Sequence, residues 1–261
     1  MGSNSIPRIR VGSTSLPVLG FGTAVFPFAA SETMKESILH AIKLGYRHFD
    51  TAAVYNSEPS LGEAIAEALR LRLITSREGL FITSKLWCSD GHPHLVLPAL
   101  QTTLQKLGLE YIDLYLIHFP VSLKPGTGYE VPFNKENLVP MDFKCVWEAM
   151  EECHRLGLTK NIGVSNFSCK KLDQLLLTSN ITPMVNQVCL RWVYEQGVSV
   201  LVKSYNKERI KENLEIFDWT LSLEDCHKIS QISQQKRYHG LEFVWDKGPY
   251  KSALEFWDKK I

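Results

Sequence analysis

Seven short apolar runs separated by longer amphipathic stretches, polar residues gathered at the ends of those runs, and an incomplete Gly-x-Gly-x-x-Gly turn predict an α/β fold of the (β/α)8 barrel class. The first segment, within residues 1–17, reads as a hairpin with Gly12 at its turn. Apolar runs follow at 18–23, 48–50, 80–84, 112–118, 162–165, 184–188 and 198–202. Helical periodicity occupies 31–44, 60–71, 95–107, 142–156 and 170–177. Ser31 supplies an N-cap for the first of these, and Gly45, Gly108 and Gly157 close three of them. Strand and helix alternating along one chain require parallel strands with crossover helices.

A doubly wound sheet would satisfy the same alternation, and the polar punctuation decides between the two. Asp50, Lys85, His118, Ser165 with Asn166, Gln187, and Lys203 with Ser204 sit at or just after run ends. Functional groups drawn from the C-terminal ends of many strands are the barrel pattern. A dinucleotide-binding sheet opens instead with three spaced glycines, and Gly20-Phe-Gly22-Thr23 lacks the third. The barrel is the better reading, as one domain over 1–261 with an insert loop at 121–140 and an aromatic-rich tail at 234–261.

Composition excludes several other classes of protein. Lys and Arg number 29 against 28 Asp and Glu, so the net charge of +1 leaves no basic footprint for nucleic acid. A hydrophobic fraction of 44% is too high for a disordered chain. No window approaches the ~18 uncharged apolar residues of a membrane span. The start carries no apolar signal stretch, so a cytoplasmic protein without membrane partners is expected. Six scattered cysteines with no Cys-x-x-Cys pair read as reduced thiols. No metal is expected either, because His92 and His94 lack a third ligand.

The chemistry lies at three successive run ends. Asp50 ends one run and Tyr55 follows in its loop; Lys85 ends the next, and His118 the one after. If neighbouring strands pair, these four converge. A lysine beside a phenol favours the phenolate and lowers the tyrosine from its ordinary ~10, while a carboxylate keeps that lysine charged. The result is a tyrosine poised as general acid, with a histidine to orient a carbonyl oxygen. A second constellation runs from Lys203 through Asn206, an N-cap by residue type, to Arg209. Two cations at a helix start fit a phosphate monoester. Ser165, Asn166 and Gln187 are hydrogen-bonding groups suited to a carboxamide.

The motifs Gly45-Tyr-Arg-His-Phe-Asp-Thr-Ala-Ala-Val-Tyr55, Ile82-Thr-Ser-Lys85, Tyr115-Leu-Ile-His118, Gly163-Val-Ser-Asn-Phe167 and Lys203-Ser204…Arg209…Glu212-Asn213 resemble the aldo-keto reductase superfamily. The resemblance is nearest to plant reductases of the codeinone, chalcone and methylecgonone reductase type. It implies carbonyl reduction in plant secondary metabolism by hydride delivery from NADPH. Tyr55 would be the proton donor, Lys85 its partner, Asp50 the support of that lysine and His118 the carbonyl orienter. Ser165, Asn166 and Gln187 would meet the nicotinamide amide, with Gly22, Thr23 and Asp50 also on the cofactor. Lys203, Ser204, Tyr205, Asn206, Arg209, Glu212 and Asn213 would hold the adenosine 2′-phosphate end. Trp87, His118, Phe119 and the tail would line the pocket for a small-molecule carbonyl substrate. A monomer is expected.

The chain departs from this pattern in one place. Seven runs are countable where the barrel needs eight. Only nine residues, 189–197, separate two of them, and a parallel crossover with its helix needs at least ~10–12. Residues 190–197 read as the back half of a helix ending at Gly197. The resemblance implies that one strand–helix unit is missing between Val188 and Val198, with an aromatic that stacks on the nicotinamide and a loop over the pyrophosphate. The alternative expectation is therefore a truncated isoform that keeps the catalytic quartet but binds cofactor poorly or is inactive.

Overall fold

The structure is a computed structural model that describes residues 6–11, 14–26, 28, 30–181, 200–214, 217, 227, 230–231 and 239–258. The expected run at 184–188, with Gln187, lies outside them, as does Gly12. Described strands are β1 Arg8–Val11, β2 Thr14–Pro17, β3 Leu19–Gly22, β4 His48–Asp50, β5 Phe81–Leu86, β6 Leu114–Ile117, β7 Ser122–Leu123, β8 Leu138–Val139, β9 Ile162–Val164 and β10 Val200–Val202. The longer helices are α1 Glu32–Lys43, α2 Glu58–Arg70, α3 Pro93–Leu107, α4 Phe143–Arg155 and α5 Cys169–Leu176. Six strands form one sheet in the order β10-β3-β4-β5-β6-β9. This is the parallel α/β arrangement expected from the alternation.

The chain divides into two compact units. The first comprises Met1–Ser84, Leu104–Asp113 and Val188–Ile232. In it β10, β3, β4 and the start of β5 pair in parallel, with Phe21 opposite both Val202 and Phe49. The hairpin β1–β2 is antiparallel, as expected. Helix α1 begins where Ser31 Oγ accepts from Met34 N and stops before Gly45, which turns at φ +103°. Tyr46, fully buried beneath it, donates its hydroxyl to Ile210 O at 3.0 Å.

The second unit comprises Lys85–Thr103, Leu114–Gln187 and Ser233–Ile261. Here β6 and β9 pair in parallel, with Leu116 opposite Gly163. Helix α4 is capped by Asp142, whose side chain accepts from Cys145 N, and it buries Val146, Trp147, Met150 and Cys153. The insert is more ordered than the sequence promised. Its ends pair as the antiparallel strands β7 and β8. Tyr129 donates to Asp90 at 2.5 Å and His92 meets Leu123 O at 2.7 Å, so His92 braces the insert rather than facing solvent. Among the described residues no helix is long and apolar enough to cross a membrane.

Candidate functional site

The first unit holds Asp50 and Tyr55 on a loop pinned by hydroxyls. Asp50 ends β4, buried, opposite Gly22 on one side and Thr83 on the other. Thr23 donates twice to Asp50 O, from N at 2.9 Å and from Oγ1 at 3.0 Å. Ser57 Oγ then lies 2.7 Å from both Thr23 Oγ1 and Thr51 Oγ1, so three buried hydroxyls close one node. Between these anchors, a single 3-10 turn, Ala53–Tyr55, ends on the half-buried Tyr55. Asn56 follows at φ 54°, a conformation asparagine tolerates. Helix α2 starts two residues further on, with Pro59 in its first turn. The Tyr55 ring packs on Phe28 at 5.4 Å.

Glu58 is a residue that sequence reasoning missed. It is fully buried, accepts from Ser84 Oγ at 2.8 Å, and has the Lys106 ammonium 3.8 Å away. It thereby braces β5 one residue before Lys85. A glutamate in a first helical turn carries no signal of burial, because its partners are 26 and 48 residues away in sequence.

The same unit carries the residues expected to meet an anion. Tyr205 donates to Thr23 O at 3.4 Å, and burial pushes its phenol up to about 12. Lys203 lies over the Tyr205 ring at 5.9 Å. Asn206 caps a short helix, Lys207–Glu212, by accepting from Glu208 N at 2.9 Å and Arg209 N at 3.1 Å. Those two donors are therefore taken by the cap, and the cationic side chains Lys203 and Arg209, both exposed, carry what remains of the positive character. Ser204 and Asn213 are half-buried and Glu212 is exposed.

The second unit gathers the remaining groups. Lys85, 3% exposed, lies in β5. His118, 5% exposed, follows β6 and donates its backbone N–H to Leu86 O at 3.2 Å. Asn166, at φ 61°, donates Nδ2 to His118 O at 2.9 Å and to Ser165 Oγ at 3.1 Å. His118 stacks on Phe119 at 4.8 Å and meets the edge of Trp87 at 5.4 Å. Phe119 in turn meets Phe243 at 4.5 Å, and Phe133 of the insert lies 5.3 Å from Phe243. Phe133 is another contributor the sequence reading did not single out. Burial, and then the charge of Lys85, holds His118 well below its ordinary value of 6.5. The imidazole is therefore neutral at physiological pH and able to serve as a hydrogen-bonding group.

Six parallel strands alternating with helices are the α/β arrangement of the barrel class. The chain belongs to the aldo/keto reductase family, whose family model matches residues 18–188. It is 47% identical over 319 positions to the 7-acetyl-epi-neemfruitin B aldo-keto reductase of Melia azedarach, covering 98% of both chains. It is 47% identical over 322 positions to NADPH-dependent codeinone reductase 1-4 of Papaver somniferum, covering all of both. In structure it resembles the aldo-keto reductase of Bombyx mori solved in complex with NADP, with TM-score 0.77 and 30% identity over 87% of this chain and 92% of that one. Both plant alignments are longer than the 261 residues of this chain, so part of each relative faces a gap here.

Proposed function

We propose that the chain reduces an aldehyde or ketone to an alcohol, taking hydride from NADPH. The observation that carries the reading is His118, a buried, neutral imidazole under the charge of Lys85. Such a group can hold a carbonyl oxygen without itself releasing a proton. Tyr55 gives its phenolic proton to that oxygen as alkoxide character develops. Lys85 stabilises the phenolate left behind, and Asp50 keeps Lys85 charged. Trp87 and Phe119 exclude water from the reacting centre and line the substrate site.

The residues present fit the cofactor by their chemistry. Lys203 and Arg209, exposed beside the half-buried Ser204 and Tyr205, suit a phosphate monoester rather than a neutral ribose hydroxyl. Asn206, Glu212 and Asn213 complete that end, with Gly22, Thr23 and Asp50 nearer the reacting centre. Ser165 and Asn166 suit an amide, as does Gln187, which lies outside the described residues. When bound, NADPH supplies the hydride. We place the activity in plant secondary metabolism because both plant relatives above are reductases of specialised compounds by name. Mixing the protein with NADPH and an aromatic aldehyde tests the reading through loss of NADPH absorbance. Tyr55→Phe should lower kcat by about 10²-fold or more. No oxidation by the folded wild-type chain overturns it.

A second reading has its own support. The chain has 261 residues against alignments of 319 and 322 positions, and the family match stops at residue 188, where the sequence spacing falls short. On that reading the protein is a truncated isoform in which the catalytic residues remain but cofactor is held weakly.

A further inference from the structure

A buried lysine outside the catalytic set grips the C-terminal tail. Lys171, in the first turn of α5, is 4% exposed. Its ammonium donates to Phe256 O at 2.7 Å and to Asp258 Oδ2 at 2.7 Å. The faces of Tyr250 and Phe256 lie 5.1 and 5.9 Å from it. Ser168, the N-cap of α5, donates its hydroxyl to the same carboxylate oxygen, and Lys170 stands 3.8 Å from the other. Burial opposes ionisation of Asp258, but Lys171 and Ser168 outweigh it and hold the carboxyl below its ordinary value.

The grip leads to His118 by two routes within one unit. Phe256 stacks on Phe243 at 5.3 Å with rings 14° apart, and Phe243 lies against Phe119, which stacks on His118. Along the chain, Ser168 lies two residues beyond Asn166, which holds His118 O. Other tail anchors are Tyr250 to Pro120 O at 3.0 Å and Lys135 to Leu241 O at 2.8 Å and Val244 O at 3.0 Å. Replacing a buried ion pair by apolar residues of similar volume is often neutral or stabilising, so a role in position is the one to test here. Two acceptors and two aromatic faces surround the Lys171 ammonium.

We propose that Lys171 is a positioning residue for substrate selection: by holding Phe256 and Asp258 it fixes Phe243 over the Phe119–His118 stack and sets which carbonyl compounds reach His118. The selection clause rests on the reductase reading above. Lys171→Met and the half-buried Asp258→Asn, with Lys171→Arg as the conservative control, test it by three readouts. Amide exchange over 240–257 should quicken by about tenfold or more in Lys171→Met and Asp258→Asn, with β3–β6 unchanged. Titration of the His118 imidazole by NMR should move up towards its ordinary value as water enters, and Lys171→Arg should restore both. With NADPH, KM for a fused-ring ketone should shift by about fivefold or more relative to a small aldehyde, at similar kcat for the aldehyde. Wild-type exchange and titration in both variants overturn the grip. Faster exchange in all strands alike reduces Lys171 to a stability role and also overturns it. An unaltered KM ratio with a loosened tail overturns selection. Absence of wild-type turnover refutes the reductase reading and selection with it, while exchange and titration still decide the grip.

Discussion

His118 links burial to pH. Its folded value lies well below 6.5, so the unfolded chain binds a proton below that pH that the folded chain refuses. Stability is full above about 6.5 and falls as pH drops, by up to about 1.4 kcal/mol per pH unit from this group. Chemical denaturation between pH 7.5 and 5 should show a shallower decline in His118→Asn than in the wild type. An identical slope would contradict the burial argument. At this scale the sequence was eloquent about some residues and silent about others. Asp50, Lys85 and His118 were legible because each is a polar group ending an apolar run. Ser57 and Glu58 were not, since a serine and a glutamate at a helix start read as caps. Lys171 carries no signal of its own within the helical stretch 170–177, and its partners Phe256 and Asp258 lie 85 and 87 positions later.

Elements were legible where local signals act alone. Ser31 and Asp142 cap α1 and α4 through their own side chains, and Gly45, Gly108 and Gly157 take the positive φ that ends helices. Boundaries moved where neighbours intervene. Helix α2 begins at Glu58 rather than Ser60, because the turn at Asn56 and the buried Glu58 carboxylate start it early. Helix α3 begins at Pro93, which is suited to a first helical position. One packing constraint is testable at this level. A Cβ on Gly62 of α2 would lie 2.5 Å from Leu107 O at the end of α3, where backbone cannot give way easily. Gly62→Ala should cost about 1–3 kcal/mol, read as a lowered Tm. Gly79→Ala, with nothing within 4 Å, should leave Tm near that of the wild type.

For the whole molecule, the proposed NADPH binding is testable through stability. A ligand that binds only the folded state stabilises it by about 2.7 kcal/mol at one hundred times Kd. Saturating NADPH should raise Tm by several degrees if the binding end is complete, and Lys203→Ala with Arg209→Ala should abolish the rise. A negligible shift in the wild type would favour the truncated reading. Alternation of strand and helix, the family motifs and the residue types at strand ends are legible along the chain, because periodicity, caps and glycine turns act over a few positions. Which side chains are buried together emerges only on packing: the Thr23–Thr51–Ser57 node, the Glu58 brace, the aromatic stack on His118 and the Lys171 grip. Each of these joins side chains brought into reach only when strands and tail pack. Desolvation, which holds His118 neutral, likewise exists only after that packing has excluded water.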